Sequence, residues 1–278
     1  MFFQKEVLTS RQNHLVKWVA SLQEKKFRDE YKSFIAEGVK LTFEAAAAHL
    51  PITHVFVSDS KIDLYKKRIL NEFSDSIYEK CQIITVTDEV LKKISTEKAP
   101  QGIISVIKHL DFFSHLDIIY KEEFFLKEEE RAIALCSLRD PGNLGAVIRS
   151  SVAFGVDHII LSADSADIYN PKTIRSAMGS LFSVRVTVVG DFGSFVDSAI
   201  SSGRRVFAAE LSSDAISLGD AKITARDIFM IGNEGHGIPA TISEKCSASI
   251  YIPISSKTES LNASVAASIF MWEQSKIN

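Results

Sequence analysis

Three polar stretches of this chain combine residue types that can bind and align a ligand. Residues 143–149 read NLGAVIR, residues 232–237 read GNEGHG, and residues 252–266 read IPISSKTESLNASVA. Glycine lets the backbone approach a ligand closely, while amide and carboxylate groups orient it by hydrogen bonds. The guanidinium of Arg149 suits an anionic oxygen. These types predict a pocket formed by backbone and completed by a few polar side chains.

Each stretch also has a purely structural interpretation. Asn143 suits the cap of the helix that follows it, and Ser260 or Asn262 suits the cap of the last helix. Glu234 can be a surface carboxylate and Arg149 a solvated helix residue. Spacing alone leaves these interpretations open, although three such turns in one chain favour a site.

Several familiar sites are excluded by spacing. Neither GNLG nor GNEGHG is the G-x-G-x-x-G dinucleotide fingerprint, and no phosphate-binding G-x-x-x-x-G-K-[ST] loop occurs. No G-x-S-x-G nucleophile elbow is present. The histidines lack H-x-x-x-H spacing, so we expect no metal site.

The elements around these stretches form an alternating pattern of short apolar strands and helices. Strands are predicted at 132–137, 227–232 and 249–253, each directly before one of the three stretches. Helices are predicted at 143–154 and 263–274. Strands this apolar are typical of parallel sheets buried on both faces, and ligands bind at the carboxyl ends of such strands. The fold class is therefore α/β.

Charge divides the chain into two units. The 278 residues are 46% hydrophobic and 24% charged, with a net charge of −3. Residues 111–130 hold two lysines against seven acidic residues. We therefore predict an N-terminal α/β domain over 1–110, an acidic and aromatic linker over 111–130, and a second domain over 131–278.

The N-terminal domain is predicted to begin with a helix capped by Thr9 or Ser10 and continuing to about Phe27. Apolar positions line one face of this helix. The remaining faces carry a set of basic residues: Arg11, Lys17, Lys25, Lys26 and Arg28.

The three cysteines, Cys81, Cys136 and Cys246, are far apart and show no paired spacing, which predicts free thiols. The first residues, MFFQKEVLTS, contain no signal-peptide core, and no apolar run approaches a membrane span. We expect a cytoplasmic protein without membrane contacts.

Together the three stretches resemble the motifs of the SpoU (TrmH) family of RNA ribose 2′-O-methyltransferases, in the SPOUT superfamily. The first motif, Asn-x-Gly-x-x-x-Arg, matches 143–149, and the second, Gly-Asn-Glu-Gly-x-Gly, matches 232–237. The third, ending Ser-Leu-Asn-x-Ser-Val-Ala, matches 260–266. Their order is that of the family. The resemblance implies a C-terminal parallel-sheet domain with a trefoil knot, preceded by a smaller α/β RNA-binding domain.

The resemblance implies methyl transfer from S-adenosylmethionine to a ribose 2′-hydroxyl, without a metal. Arg149 is then the residue beside the hydroxyl. Because guanidinium stays protonated, we prefer it as a cation that lowers the hydroxyl pKa and holds a phosphate, with general-base action as the second choice. The other catalytic candidates are Asn143, Glu234, Ser260 and Asn262. The cofactor candidates are Gly232, Ile252, Leu261 and Ala209.

The N-terminal residues, RQNHLVKWVASLQEKKFRDEYKSFIAEGVK, resemble the small substrate-binding domain that many members carry. Ribosomal RNA is therefore the expected substrate; the alternatives are tRNA methylation and a non-catalytic RNA-binding or ribosome assembly factor. The family forms homodimers through the C-terminal domain, for which the apolar last helix is a candidate. Ser256 replaces a glycine of the third motif, which predicts an altered cofactor loop because serine tolerates positive φ poorly.

Overall fold

The computed structural model describes residues 1–4, 6–110, 113–116, 126–127 and 130–277. The described helices are, in chain order, α1 (His14–Ser21), α2 (Lys25–Tyr31), α3 (Val39–Ala47), α4 (Ile62–Glu72), α5 (Asp88–Ile94), α6 (Pro141–Ala153), α7 (Pro171–Ala177), α8 (Phe192–Ser201), α9 (Ala240–Ser243) and α10 (Ala263–Ser275). The described strands are β1 (Phe2–Phe3), β2 (Ser33–Glu37), β3 (Ile52–Ser58), β4 (Gln82–Val86), β5 (Ile103–Lys108), β6 (Phe113–Leu116), β7 (Ala132–Leu135), β8 (His158–Ser162), β9 (Arg185–Val189), β10 (Val206–Ala209), β11 (Ile216–Ser217), β12 (Ile228–Ile231) and β13 (Ala248–Tyr251).

The chain forms two compact units that alternate along the sequence. One comprises residues 1–110 together with 167–182, and the other comprises 111–166 together with 183–278. The segment 167–182, which contains α7, therefore belongs to the N-terminal unit although it lies inside the predicted 131–278 domain. Its Tyr169 ring stacks on Phe34 of β2 at a centroid distance of 4.7 Å. Hydrophobic periodicity predicts which residues of a segment are buried but not which unit they pack against. It therefore could not show that 167–182 belongs to the N-terminal unit.

In the N-terminal unit the described strands form a mixed sheet in the order β1-β4-β3-β5-β2. Strand β5 pairs antiparallel with both β2 and β3, and the remaining pairs are parallel. Helix α1 packs against α5 through a buried cluster that includes Val16, Val19 and Ile94.

The first helix differs from the prediction. It begins at His14 with Asn13 as its cap, whose side chain accepts the amide of Leu15 over 2.8 Å, and not at Thr9 or Ser10. It ends at Ser21, and α2 begins at Lys25. Arg28 stabilises this break because its guanidinium donates to the carbonyls of Leu22 and Gln23.

The sequence predicted that Arg28 belongs to an exposed basic face, and this prediction is wrong. Its side chain is only 2% exposed and donates two hydrogen bonds to the carboxylate of Asp167, over 3.1 and 2.5 Å. Asp167 begins the segment that joins this unit from the middle of the sequence. A distant acid neutralises this arginine, which local sequence could not reveal.

The C-terminal unit contains a parallel sheet in the order β11-β13-β10-β12-β7-β8-β9-β6. All of its described strand pairs are parallel, which confirms the predicted sheet. The residues of β7, β8 and β12 are buried throughout, since helices and loops cover both faces of the sheet centre. Strand β6 lies within 111–130, so this stretch is not only a linker; positions 111–112, 117–125 and 128–129 of that prediction lie outside the described residues.

All three cysteines are free thiols, as predicted. Burial raises the pKa of Cys81 to about 12 and that of Cys136 to about 11. Over the described part of the chain, no helix has the length and apolar character needed to cross a membrane.

Candidate functional site

The start of α6 fixes the position of Asn143. Asp140 caps the helix, since its side chain accepts the amide of Asn143 over 2.9 Å, and Pro141 occupies the first turn. Asn143 is thus not the cap that one interpretation predicted. Its side chain stays available for contacts with other loops.

The loop 232–237 is a closed turn held by Asn233. The amides and carbonyls of Asn233 and Gly237 pair over 3.0 Å in both directions. The Asn233 side chain accepts the amide of Gly235 and donates to the carbonyl of Ser137 over 2.8 Å, which ties the loop to the end of β7. Asn233 therefore shapes the loop, a role that sequence reasoning did not assign.

Gly232 leaves no room for a side chain. A Cβ at this position would lie 2.4 Å from the carbonyl carbon of Gly237, a distance that real Cβ atoms do not show. The glycine is required because the turn folds back on its own first residue. The next side chain beyond Asn233, that of Glu234, is exposed.

Asn262 caps α10, as one of the predicted alternatives had it. Its Oδ1 accepts the amide of Ser264 over 2.9 Å, and its Nδ2 donates to Oδ1 of Asn143 over 3.0 Å. The cap thereby directs the amide nitrogen of Asn262 away from its own helix and toward α6.

A directed chain of hydrogen bonds joins three of the predicted catalytic residues. Asn143 donates through Nδ2 to Oε1 of Glu234 over 2.9 Å and accepts from Asn262. An ionised carboxylate can only accept, so Glu234 requires the amide nitrogen of Asn143 to face it. The Oδ1 of Asn143 then faces Asn262. All three sequence motifs contribute one member to this chain.

Beside Glu234 lies a cavity of about 440 Å³ formed by loops at the carboxyl ends of β10, β12 and β13 and by α10. All four predicted cofactor residues line it: Ala209, Gly232, Ile252 and Leu261. Ser260 and Glu234 line it as well. The edge of the sheet thus brings together residues from the second and third motifs, as expected for parallel strands.

Sequence reasoning missed Glu210, which also lines the cavity. Its carboxylate accepts a hydrogen bond from Ser249 over 2.8 Å. The signal was available, because Glu210 directly follows β10 at the same sheet edge as the other loops. With Glu234 and Glu259, it gives the cavity three carboxylates, and no Lys, Arg or His is among the described lining residues.

Ser256 does not strain the third loop. The described non-glycine residues with positive φ are Lys32, His49, Ser137 and Met178. Ser256 is not among them, so serine brings no positive-φ strain to this loop, and its expected effect on cofactor affinity stays a prediction. Serine fits this position because its backbone conformation is an ordinary one.

Arg149 is the predicted residue that the structure does not bring into this cluster. It is exposed on α6, and its side chain makes no hydrogen bond or ion pair with any described residue. It follows Asn143 by six positions, which turns its side chain about 120° around the helix. Ser150 lies nearer the Asn143 stripe, and its hydroxyl is 2.8 Å from that of Ser268 on α10.

The arrangement can hold a polar small molecule in the cavity and present it to a second reactant at the Asn143 side. Backbone groups of three loops are available to bind the ligand, and the carboxylates favour positive charge. The exposed guanidinium of Arg149, which has no ion-pair partner among the described residues, is available to an anionic reactant from solvent.

Two family models match the chain. One, described as the SpoU rRNA Methylase family, matches residues 130–272, and one described as an MRM3-like substrate binding domain matches residues 13–105. The chain is 29% identical over 267 residues to the 23S rRNA (guanosine(2553)-2′-O)-methyltransferase RlmP of Bacillus subtilis, covering 95% of this chain and 97% of the relative. It is 26% identical over 271 residues to a 23S rRNA (uridine(2479)-2′-O)-methyltransferase of Streptomyces viridochromogenes, covering 96% and 90%.

Solved structures are similar over the same extent. An AdoMet-bound rRNA methyltransferase from Sinorhizobium meliloti has a TM-score of 0.83 at 25% identity and covers 98% of this chain and 97% of its own. The SpoU methyltransferase AviRb from Streptomyces viridochromogenes in complex with AdoMet has a TM-score of 0.79 at 22% identity, covering 95% and 98%.

Proposed function

This chain belongs to the SpoU rRNA methylase family, and on that basis we propose that it transfers a methyl group from S-adenosylmethionine to a ribose 2′-hydroxyl of ribosomal RNA. The observation that carries the proposal is the hydrogen-bonded chain Glu234–Asn143–Asn262, which adjoins the cavity at Glu234. It joins the three motifs at one place. The B. subtilis and S. viridochromogenes relatives, both named as 23S rRNA 2′-O-methyltransferases, support the substrate class.

The cavity fits S-adenosylmethionine in size and chemistry. Its volume of about 440 Å³ lies within the range of roughly 300–1,000 Å³ typical of small-molecule pockets. In our assignment, backbone groups at Gly232, Ile252 and Leu261 bind the adenine, with Ala209 at the wall. When bound, S-adenosylmethionine would supply a methyl carbon on a positively charged sulfur, so that the 2′-hydroxyl oxygen bonds to the carbon while the sulfur leaves as a neutral thioether.

The side chains around the cavity position the reactants. Asn143 and Glu234 hold the nucleotide, Ser260 completes the cavity wall, and Asn262, which is not a lining residue, orients the Asn143 amide. Alignment of the reacting atoms alone supplies several kcal/mol of the barrier, up to about 7–11 kcal/mol for near-ideal placement.

Arg149 acts on the RNA in this proposal. Its exposed guanidinium has no ion-pair partner among the described residues, so it is available to a phosphate and to the neighbouring hydroxyl. A nearby cation lowers the hydroxyl pKa, and a phosphate oxygen or water accepts the proton. General-base action by the guanidinium is disfavoured because an arginine side chain in a protein carries only N–H donors and no proton acceptor.

The finer properties of the family extend to this chain in our proposal. These are a trefoil knot in the C-terminal unit, action in the cytoplasm and a homodimer. The last helix offers an apolar surface for the dimer, with Val265 47% and Trp272 52% exposed, and Val152 of α6 is 37% exposed. Phe270 is buried and is core instead.

The test is incubation of the protein with labelled S-adenosylmethionine and separate pools of rRNA and tRNA, followed by mapping of the label. We expect a single labelled 2′-oxygen in rRNA and cofactor binding by calorimetry. Absence of cofactor binding would refute the enzyme, and label only in tRNA would refute the substrate class.

A further inference from the structure

Four aromatic rings of the N-terminal unit form one cluster on α1, α2 and β3. The Trp18 ring contacts Tyr31 edge-on at a centroid distance of 6.2 Å and His54 at 5.2 Å. Phe27 and Tyr31, one helical turn apart on α2, have nearly parallel rings with 12° between their planes. We call these four rings, Trp18, Phe27, Tyr31 and His54, the aromatic cluster.

The aromatic cluster packs on the core of the N-terminal unit and is also partly exposed to solvent. Trp18 packs against a core cluster of this unit, and the His54 ring stacks on the fully buried Phe56. Tyr31 is 38% exposed, and the other three rings are half-buried. A ring held by the core and open on one side loses little freedom when a second flat group stacks on it.

Two lysines lie at the cluster. The Lys26 ammonium is 5.7 Å from the Phe27 ring centroid, and the Lys108 ammonium donates to the Tyr31 carbonyl over 3.3 Å. Arg28 contributes no free charge, because Asp167 neutralises it. Asp29 and Glu30 on the same helix reduce the local net charge. Stacking, with charge as a supplement, is therefore the interaction this surface favours.

We propose that the aromatic cluster stacks unpaired bases of the RNA substrate, while Lys26 and Lys108 contact the flanking phosphates. This rests on the proposed function and adds which part of the RNA is recognised and by which residues. Rings with adjacent cations bind single-stranded RNA in a sequence-tolerant way, whereas the bases of a duplex are already stacked on each other.

The neutral state of His54 agrees with this role. Burial, together with the charge of Lys108, lowers the pKa of His54, so its ring is uncharged at neutral pH. The cluster then presents uncharged rings to the bases and leaves the phosphate contacts to the lysines.

The test compares Tyr31→Leu with Tyr31→Phe in the full chain. The probes are a single-stranded rRNA fragment and the same sequence annealed to its complement. We expect Tyr31→Leu to weaken single-strand binding about ten-fold, and Tyr31→Phe to preserve it, because stacking needs the ring and not the hydroxyl. Duplex binding and S-adenosylmethionine affinity stay unchanged. Lys108→Gln weakens binding to both probes and reduces the salt dependence.

A second readout uses tryptophan fluorescence. The chain has two tryptophans, Trp18 and Trp272, so Trp272→Phe leaves Trp18 as the single reporter. Single-stranded RNA should quench this emission and the duplex should not. Equal quenching by both probes, or a Tyr31→Leu variant with wild-type affinity for the single strand, would overturn the proposal, as would a ring surface that binds protein and no RNA. If the wild-type protein binds single-stranded RNA through the aromatic cluster but transfers no methyl group, the proposed function alone is refuted.

Discussion

The side-chain amide of Asn143 lies between Glu234 and Asn262, donating to the first over 2.9 Å and accepting from the second over 3.0 Å. Each partner fixes the orientation of the amide, since a carboxylate only accepts and Asn262 uses its own oxygen to cap α10. Replacing any one member therefore changes the hydrogen bonds of the others. This relationship makes the three residues one unit for mutagenesis.

Asn143→Asp tests that unit. The new carboxylate cannot donate to Glu234, and two like charges then face each other, so we expect methyl transfer to fall about 10–100-fold with little loss of cofactor affinity. The double variant Asn143→Asp with Glu234→Gln restores the donor from the opposite side. It should recover part of the lost rate in a double-mutant cycle, and purely additive losses would contradict the coupling.

Arg149→Ala should abolish transfer, by about 100-fold or more, while leaving cofactor affinity and thermal stability unchanged. Thermal stability stays unchanged because the exposed side chain has no partner among the described residues whose loss would cost stability. Arg149→Lys keeps the charge without the planar fork and should retain intermediate activity. Calorimetry with S-adenosylmethionine and single-turnover assays measure the two effects, and full turnover in Arg149→Ala would rule out our assignment.

Gly232→Ala should distort the 232–237 loop, because the added Cβ would meet the Gly237 backbone at 2.4 Å. We expect a destabilisation of about 1–3 kcal/mol and weaker cofactor binding. Gly235→Ala is the matched control, since its Cβ would meet only the Asn233 side chain at 3.6 Å. Thermal melts and calorimetry of both variants compare the two glycines; similar losses in each would mean that the close approach is irrelevant.

Glu210→Gln should narrow the preference for S-adenosylmethionine over S-adenosylhomocysteine. The cofactor carries one more positive charge than its demethylated product, and three carboxylates line the cavity. We expect affinity for S-adenosylmethionine to fall only a few-fold, because the Glu210 carboxylate and the sulfonium interact at an effective dielectric constant of about 20 or higher. Affinity for the demethylated product, which lacks the sulfonium charge, should stay unchanged. Glu244→Gln, outside the lining residues, is the control. An equal loss for both ligands would indicate a packing effect.

His158 should make folding sensitive to acid. Burial, with the charges of Arg185 and Arg204, lowers the pKa of His158 to about 3 in the folded chain. Between about pH 6.5 and pH 3 the unfolded chain binds a proton that the folded chain excludes, so the free energy of unfolding falls by up to about 1.4 kcal/mol per pH unit as pH decreases. His158→Gln removes this titration and should flatten the denaturation profile there. An unchanged slope would show that other groups dominate.

Much of the fold could be predicted because its strands are short, apolar and bounded by polar turns. Strand β7 (Ala132–Leu135) lies within the predicted strand 132–137, and β12 (Ile228–Ile231) lies within the predicted strand 227–232. The antiparallel placement of β5 was not accessible, since side-chain alternation does not depend on strand direction. The same limit hid the break between α1 and α2, where the partner of Arg28 lies far along the sequence.

The candidate site was predictable to the extent that its residues follow strand ends or start helices. The motif residues Asn143, Glu234 and Asn262 meet because parallel strands end at one edge. The position of Arg149 depends on helix phase relative to other elements, which spacing does not determine. Glu210 lies outside every motif, and the sequence signal for it was its place directly after β10, at the sheet edge where the other loops lie.

The inclusion of 167–182 in the N-terminal unit sets an order for events during synthesis. A nascent chain that has emerged only through residue 110 already contains Arg28, yet its carboxylate partner Asp167 has not been made. An uncompensated buried guanidinium is costly, so the unit cannot reach its final packing until about 70 further residues leave the ribosome. Translation adds roughly 5–20 residues per second, so residues 1–110 complete their packing only several seconds after they have left the ribosome.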